Sequence, residues 1–311
     1  MAKVFIDGSA GTTGLRIYER LAGRKDITLI TLPDEVRKDL GARKEALNSA
    51  DIAFLCLPDA AAVEAVSLID NPNTAVIDTS TAHRTASGWA YGFAELSGKR
   101  EEIRSSKRIA NPGCHASGFI ALVAPLVENG IIKPESSLTS FSITGYSGGG
   151  KNMIAQYQDP ELDELLTAPR QYAMGQNHKH LPEMAKICGL NSDPVFCPIV
   201  SNYYSGMQVT VPLFAKDING TKADIAEVYK SYYTNGLVSY VGELSQGGFA
   251  SAVSMSGRDD MCITVAGNEE RILLVAEFDN LGKGASGAAI QNMNILLGID
   301  ERTGLVTDRG D

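Results

Sequence analysis

Of the five cysteines in this 311-residue chain, Cys114 stands apart from the rest. It follows Asn111-Pro112-Gly113, precedes His115, and begins an apolar run of helical spacing over residues 114–127. Pro and Gly force a sharp turn, so the thiol falls on the first turn of a helix, under the positive end of its dipole. A free thiol with a pKa of about 8.5 is only a few per cent thiolate at neutral pH. A helix end favours an anion by roughly 0.3–2 kcal/mol, about one pKa unit at best, so full activation needs a nearby histidine. The same first-turn N–H groups suit the oxyanion of a tetrahedral intermediate. This is the equipment for nucleophilic attack on an acyl carbon. Cys56 lies inside an apolar strand-like run, and it, Cys188, Cys197 and Cys262 read as ordinary buried thiols.

Two of the four histidines flank Lys179 in His178-Lys179-His180-Leu181-Pro182-Glu183. Pro182 is expected to open a helix as its first residue, and Leu181 to be extended because Pro follows. In extended geometry His178 and His180 point to one face. One then serves Cys114 as acid or base and the other contacts substrate, with His178 the preferred base. His83 and His115 read as structural. The segment Thr144-Gly145-Tyr146-Ser147-Gly148-Gly149-Gly150-Lys151 follows a strand and reads as a phosphate cradle of glycine amides, the Ser147 hydroxyl and Lys151. It lacks the spacing of an ATP loop.

A second glycine loop opens the chain. A strand over residues 3–7 runs into Gly8-Ser9-Ala10-Gly11-Thr12-Thr13-Gly14, then into a helix over residues 15–21. Strand, spaced glycines and helix form the setting in which a pyrophosphate meets free helix N–H groups. The next strand, residues 27–32, ends in Thr31-Leu32-Pro33 without the acid that would bind a ribose 2′-hydroxyl. Arg37 and Lys38 follow, which favours NADP over NAD.

The elements that position these residues alternate at first. The continuously apolar run 52–57, a helix over 60–69 and a strand over 75–78 predict a doubly wound parallel sheet of Rossmann type. After residue 114 the pattern becomes β-rich, with runs at 137–144, 195–201, 206–214, 263–266 and 272–279, as in an α+β domain with a largely antiparallel sheet. Residues 285–297 are again helical and apolar, and the glycines of residues 282–287 look like the crossing back. The expected domains are 1–113 with 283–311 for the dinucleotide, and 114–282 for catalysis and oligomerisation. The net charge of −9 argues against nucleic acid or an anionic membrane as partner. No apolar run approaches the roughly 20 residues of a membrane span. An odd number of widely spaced cysteines suits a reducing cytoplasm, and the few histidines make a metal site unexpected.

With these segments in place, the chain resembles the shorter type of the N-acetyl-γ-glutamyl-phosphate reductases, within the larger family of aspartate-semialdehyde and glyceraldehyde-phosphate dehydrogenases. The carrying residues are Gly8 to Gly14, Asp78-Thr79-Ser80-Thr81-Ala82-His83-Arg84, Asn111-Pro112-Gly113-Cys114, Gly145 to Lys151, His178 to Glu183 and Asn280-Leu281-Gly282-Lys283-Gly284-Ala285. Asn-Pro-Gly-Cys with the downstream His-x-His-x-Pro-Glu is the most specific pair, and the likeness spans essentially the whole chain. His115 departs from the longer type, which has tyrosine there, and Ser-Gly-Gly-Gly departs from the more usual Ser-Gly-Ala-Gly. The resemblance implies that Cys114 attacks an acyl phosphate, that NADPH reduces the thioester, and that an aldehyde and phosphate leave, in arginine biosynthesis. It further implies cofactor contacts from Gly8, Ser9, Gly11, Thr12, Thr13, Gly14, Arg37, Ser80, Ser147, Gly148, Asn280 and Lys283. Substrate contacts would come from Asn111, Arg84, Arg108, Ser147 and His180, with Arg84, Arg100 and Arg108 as candidates for its carboxylate. A cytoplasmic homodimer or homotetramer is implied. An aminoadipyl substrate one methylene longer keeps the same chemistry, and a methylene discriminates by only about 1–3 kcal/mol. A carrier-protein-linked substrate suits an acidic chain poorly. A Cys-His hydrolase leaves the first glycine loop without a role, and a dinucleotide-sensing regulator leaves Cys114 without one.

Overall fold

The computed structural model describes residues 1–244 and 247–307. The described residues form two compact units, the first of residues 1–112 with 285–305, the second of those between 113 and 284 with 306–307. Among the described residues no helix is long and apolar enough to cross a membrane.

In the first unit the elements run β1 (Ala2–Asp7), α1 (Thr12–Leu21), β2 (Ile27–Ile30), α2 (Leu40–Ser49), β3 (Ile52–Leu55), α3 (Asp59–Ser67), β4 (Ala75–Asp78), β5 (Ala90–Tyr91), α4 (Lys99–Ser105) and β6 (Arg108–Ala110). A last helix, α9 (Gly287–Leu296), completes it. All six strands pair in parallel, in the order β2-β1-β3-β4-β6-β5. Parallel strands covered on both faces must be apolar on both. Val4, Ile6, Phe54, Ile77 and Ile109 pack with Ile17 and Leu21 of α1 and Met293 of α9. Phe5, Ala53, Leu55 and Val76 face the other way, onto Leu47 of α2 and Ala62 and Ala65 of α3. The strands expected to reach residues 32 and 57 stop at Ile30 and Leu55. The chain leaves the sheet there because β1 ends at Asp7, whose carbonyl takes the Cys56 N–H at 2.8 Å as the last bond before Pro58. Helix α2 carries no clear periodicity. It begins where Asp39 caps it, accepting from the Ala42 N–H at 2.8 Å.

The second unit runs α5 (Cys114–Glu128), β7 (Thr139–Gly145), α6 (Gly150–Tyr157), β8 (Arg170–Gln171), α7 (Leu181–Cys188), β9 (Val195–Ser201), β10 (Met207–Phe214), α8 (Lys222–Tyr232), β11 (Val238–Tyr240), β12 (Met261–Gly267) and β13 (Arg271–Phe278). Its strands form one sheet, β11-β12-β13-β10-β7-β9-β8. Four neighbouring pairs are antiparallel, while β7 with β9 and β11 with β12 are parallel. Alternation decides the faces. Val209, Val211, Ile272, Leu274 and Phe278 are buried on the face that carries α5, and their strand neighbours Phe141, Phe214 and Leu273 are exposed on the other. Helix α5 is buried from His115 to Leu126, as a helix apolar on all sides must be. A Cβ at Gly118 would lie 2.5 Å from Val209 Cγ2 and 2.9 Å from a Phe278 ring carbon, so only glycine lets α5 sit this close to the sheet. From α8 and the residue after it, the hydroxyls of Tyr229 and Tyr233 donate to the Leu122 and Ala121 carbonyls at 2.5 and 2.7 Å.

Candidate active site

At the tip of β1, Gly8 adopts φ +87°, and a Cβ there would fall 2.3 Å from the Cys56 carbonyl oxygen. A Cβ at Gly14 would lie 2.4 Å from the Gly8 carbonyl oxygen, so two of the spaced glycines are required by backbone approach. Helix α1 starts without a side-chain cap at Gly11. Beside that uncapped end the Thr12 hydroxyl is buried with no partner among the described residues. A cleft of about 470 Å³ adjoins Gly8, Ser9 and Ala10. Its walls are apolar (Tyr18, Leu29, Leu32, Leu57), and Arg37 and Lys38 border it. An orphan hydroxyl, free helix amides and an apolar slot edged by cations fit the phosphate and adenosine parts of a dinucleotide. Arg37 is exposed and lies 3.3 Å from Asp34. Sequence reading missed Arg43 in α2, which spans Asp7 at 2.9 Å and Glu64 at 3.0 Å. Burial pushes the Asp7 carboxyl up, and the Arg43 hydrogen bond draws it back.

The C-terminal edge of the same sheet collects Asp78, Ser80, His83, Arg84 and Asn111. The Asp78 carboxylate, fully buried, accepts from the Ser80 amide (2.9 Å) and hydroxyl (2.7 Å) and meets His83 Nδ1 at 2.6 Å. His83 stacks on Trp89 at 4.0 Å between ring centroids. Arg84 donates to the Asn111 and Thr79 carbonyls, and Asn111 donates to Ala285 and Asp78 and accepts from Asn292. Ser80 and Asn111, expected to touch ligands, therefore spend these groups holding the turns around β4 and β6. Arg108 sits at the other end of β6, donating to the Thr74 and Lys107 carbonyls, and Arg100 pairs with Glu301. That edge lies opposite the strand ends where open α/β sheets bind ligands, which removes the geometric case for Arg108 as a substrate residue.

In the second unit the thiol is the first residue of α5. The turn before it is fixed from α7, whose Glu183 carboxylate accepts the Gly113 N–H at 2.8 Å. Amide groups further into the first turn remain beyond the helix's own bonding. The segment 178–181 is not extended. The Leu181 N–H reaches the His178 carbonyl at 3.0 Å, and α7 already includes Leu181. This tight turn tolerates Pro182 because an amide in the first helical turn has no intrahelical partner to lose. The two histidines still converge, with ring centroids 4.7 Å apart.

A third ring joins them. His115 is buried, and its centroid lies 5.7 Å from both His178 and His180. Its Nδ1 is 2.6 Å from Ser142 Oγ and its Nε2 is 2.7 Å from the Tyr172 hydroxyl. Burial, then the nearby His178, push the imidazole down to about 3, so it is neutral at physiological pH. Burial and next the Cys114 charge push the Tyr172 phenol up. Tyr172, Ser142 and the central position of His115 left no sequence signal, because β7, β8 and α5 meet only in the fold. Of the other thiols expected to be buried, only Cys188 is; Cys56, Cys197 and Cys262 are half-buried, as Cys114 is, and burial pushes Cys56 up to about 12 and Cys188 well up.

The expected phosphate cradle is a joint. The amides of Gly145, Tyr146 and Ser147 bond the Gly206, Tyr203 and Tyr204 carbonyls at 2.9–3.0 Å. The buried Ser147 hydroxyl accepts from Asn280 at 3.0 Å, and Asn280 also accepts the Gly206 N–H at 2.9 Å. Gly148 is left outward, and Lys151 is exposed on α6. Residues Gly282–Ser286 form a single π turn in which Lys283 is buried. A Cβ at Gly284 would come 2.9 Å from the Cβ of Cys114.

Two family profiles match the chain. One, a semialdehyde dehydrogenase NAD binding domain, covers residues 3–106, and the other, a semialdehyde dehydrogenase dimerisation domain, covers residues 114–280. An N-acetyl-γ-glutamyl-phosphate reductase 2 of Nostoc sp. is 43% identical, with 97% of this chain and 99% of that protein aligned. An N-acetyl-γ-glutamyl-phosphate reductase of Brucella anthropi is 45% identical over 95% of this chain and 98% of its own. The crystal structure of aspartate semialdehyde dehydrogenase II from Vibrio cholerae, complexed with ASA, shares the fold. Its TM-score is 0.71 at 15% identity, covering 96% of this chain and 98% of that one.

Proposed function

Because the chain belongs to the N-acetyl-γ-glutamyl-phosphate reductase family, we propose that it reduces N-acetyl-γ-glutamyl phosphate to N-acetyl-glutamate semialdehyde and phosphate with NADPH, as a step of arginine biosynthesis in the cytoplasm. The observation that carries the reading is Cys114 on the first turn of a buried helix whose next residue, His115, belongs to a cluster of three imidazoles, two of them buried. His178, the half-buried member of this cluster, takes the thiol proton. The Cys114 sulfur attacks the acyl carbon, the carbon–oxygen bond to phosphate breaks, and the histidine returns the proton to the departing phosphate. First-turn amides of α5 hold the oxyanion on the way. NADPH, when bound, supplies the hydride that reduces the acyl group. The carbon–sulfur bond then breaks, releasing the aldehyde and restoring the thiolate. His180, buried at the start of α7, contacts the substrate from the same side as His178.

The first unit is the dinucleotide domain on this reading, with Gly8 to Gly14, Thr12 among them, at the pyrophosphate and Arg37 at the 2′-phosphate. The second unit is the catalytic and oligomerisation domain. Its uncovered sheet face carries Phe141, Val195, Phe214 and Leu273, each more than one-third exposed, and suits a second copy in a homodimer or homotetramer.

The test runs the reaction backwards, with N-acetyl-glutamate semialdehyde, phosphate and NADP, following NADPH by absorbance. Phosphate-dependent NADPH formation is expected, falling on the order of 10³-fold or more in Cys114→Ser. The aminoadipate homologue should react some 10- to 200-fold more slowly. A folded, NADP-bound protein inactive with both aldehydes would sink the reading.

A further inference from the structure

We propose that Arg170 holds the carboxylate at the far end of the acyl phosphate. This role rests on the reductase reading and deepens it. The arginines expected to hold that carboxylate are engaged elsewhere: Arg84 with the Asn111 and Thr79 carbonyls, Arg100 with Glu301, and Arg108 with carbonyls at the far end of β6.

Arg170 is half-buried on β8 and meets no carboxylate among the described residues. Its Nη2 donates to the Tyr157 hydroxyl at 3.0 Å, and its guanidinium carbon stands 5.5 Å from the centre of that ring. Its Nε–H is buried with no acceptor among the described residues. A guanidinium carries five N–H groups in a planar fork that matches the two oxygens of a carboxylate. A buried N–H left unanswered is costly, and a partly buried charge without a counter-ion is more so. One neutral hydroxyl answers this fork, and the orphaned Nε–H calls for an anion beside it.

Sheet register sets the distance from Arg170 to the imidazoles. Arg170 lies opposite Val200 of β9, and the Tyr172 N–H continues the ladder to the Pro198 carbonyl at 3.0 Å. In β7, Thr144 pairs with Val200 and Ser142 with Pro198. Side chains two apart on a strand share a face. Arg170 and Tyr172 therefore stand side by side, about 7 Å apart along the strand, on the face that carries Ser142. That face holds the imidazole cluster. His115 meets the Ser142 and Tyr172 hydroxyls at 2.6 and 2.7 Å, and the His178 ring lies 5.9 Å from that of Tyr172. Tyr172 also packs against the cluster of Val200 and Tyr157, the residue that receives Arg170. In N-acetyl-γ-glutamyl phosphate, four carbon–carbon bonds separate the acyl carbon from the α-carboxylate carbon, about 5 Å when extended. A guanidinium one step along the strand from the imidazole cluster suits a substrate of that length.

The experiment runs the reverse reaction on the intact protein with two aldehydes, N-acetyl-glutamate semialdehyde and 4-acetamidobutanal, which lacks only the α-carboxylate. Arg170→Met should lower kcat/KM for the first about 10- to 100-fold, the worth of a hydrogen bond to a charged group, and leave KM for phosphate within twofold. With 4-acetamidobutanal the wild type should be slower by a similar factor, and Arg170→Met should change its rate less than twofold. Arg170→Lys keeps the charge without the fork and should fall between. Equal losses with the two aldehydes would make Arg170 structural, and a raised KM for phosphate with the aldehyde unaffected would make phosphate its ligand; either overturns the proposal. Should Arg170→Met fail to fold, Arg170→Lys and the wild-type comparison decide, and a wild type that treats both aldehydes alike overturns it. A second readout needs no turnover. N-acetyl-L-glutamine at millimolar concentration should protect Cys114 from iodoacetamide in wild type and not in Arg170→Met, and equal protection in both would overturn the role. A protein that makes no NADPH from either aldehyde but shows this Arg170-dependent protection would refute the reductase assignment and leave the carboxylate site standing.

Discussion

Gly284→Ala tests whether the π turn sets the position of the nucleophile. An added Cβ would stand 2.9 Å from the Cys114 Cβ, 3.2 Å from the Asp279 carbonyl oxygen and 3.3 Å from a Phe278 ring carbon. Carbon atoms rest at about 3.5–4.0 Å, so the pair must separate by roughly 0.6–1.1 Å. The carbonyl cannot yield easily, because Asp279 is fully buried and its carboxylate holds the Leu281 amide at 2.7 Å and the Ser205 hydroxyl at 3.0 Å. Phe278 is also fully buried against α5. Cys114 is thus the neighbour that moves, and it carries the reacting atom. A misplacement of about 1 Å costs on the order of 10²-fold in rate, while overpacking costs about 1–3 kcal/mol of stability. The assay pairs the rate of NADPH formation with a urea melt. The expected result is a fall in kcat of about 10²-fold in a protein that still unfolds cooperatively. Gly23→Ala, where nothing lies within 4 Å and the backbone is unstrained, is the control and should be neutral. A Gly284→Ala enzyme with kcat within twofold of wild type would refute the claim that this contact positions the thiol.

Three further outcomes follow from the same geometry. Arg37→Gln should lower kcat/KM about 10-fold with NADPH and leave NADH unchanged, as loss of a charged partner for a 2′-phosphate requires; equal losses with both cofactors would remove Arg37 from that role. The His115 ring is held down to about 3 against an ordinary value of 6.5, so the unfolded chain binds a proton that the fold refuses. Stability should therefore be full above pH 6.5 and fall as pH drops toward 3, by about 5 kcal/mol as an upper bound, and His115→Gln should flatten that slope in urea melts; identical slopes would place the acid sensitivity elsewhere. Phe141→Asp combined with Leu273→Lys should leave a monomer by light scattering, since both side chains project from the uncovered face of the second sheet; an unchanged mass at micromolar concentration would move the subunit interface to another surface.

What the sequence made legible, and what it hid, divides along the range of the interactions involved. Apolar runs flanked by Gly, Pro and Asp located β1, β3, β4, β9, β10 and the start of α5, because burial on both faces or strict alternation leaves a local imprint. Two glycine spacings were equally local: Gly8 and Gly14 meet backbone atoms of the same turn or the adjoining strand end. The second glycine loop is local only in part. Its composition fits a phosphate cradle, and Gly148 and Lys151 do face outward, but Gly206, Tyr203 and Tyr204, some 60 residues on, take the amides of Gly145, Tyr146 and Ser147, and no local pattern reports that. Leu181 failed by a short-range competition, in which a hydrogen bond to His178 wound the chain into the helix one residue before Pro182. The polar residues around the thiol were the least legible. Ser142, Tyr172 and Glu183 come from three separate stretches of chain, and each makes a hydrogen bond whose partner is set by sheet register and helix packing. His115 shows the limit most clearly: beside the cysteine in an apolar helix it reads as a core histidine. It is one by burial and protonation, and it gains its place in the site only because both its nitrogens face polar groups brought in from β7 and β8. A residue of this kind is found by asking where each buried polar atom is satisfied, a question that only the folded chain can answer.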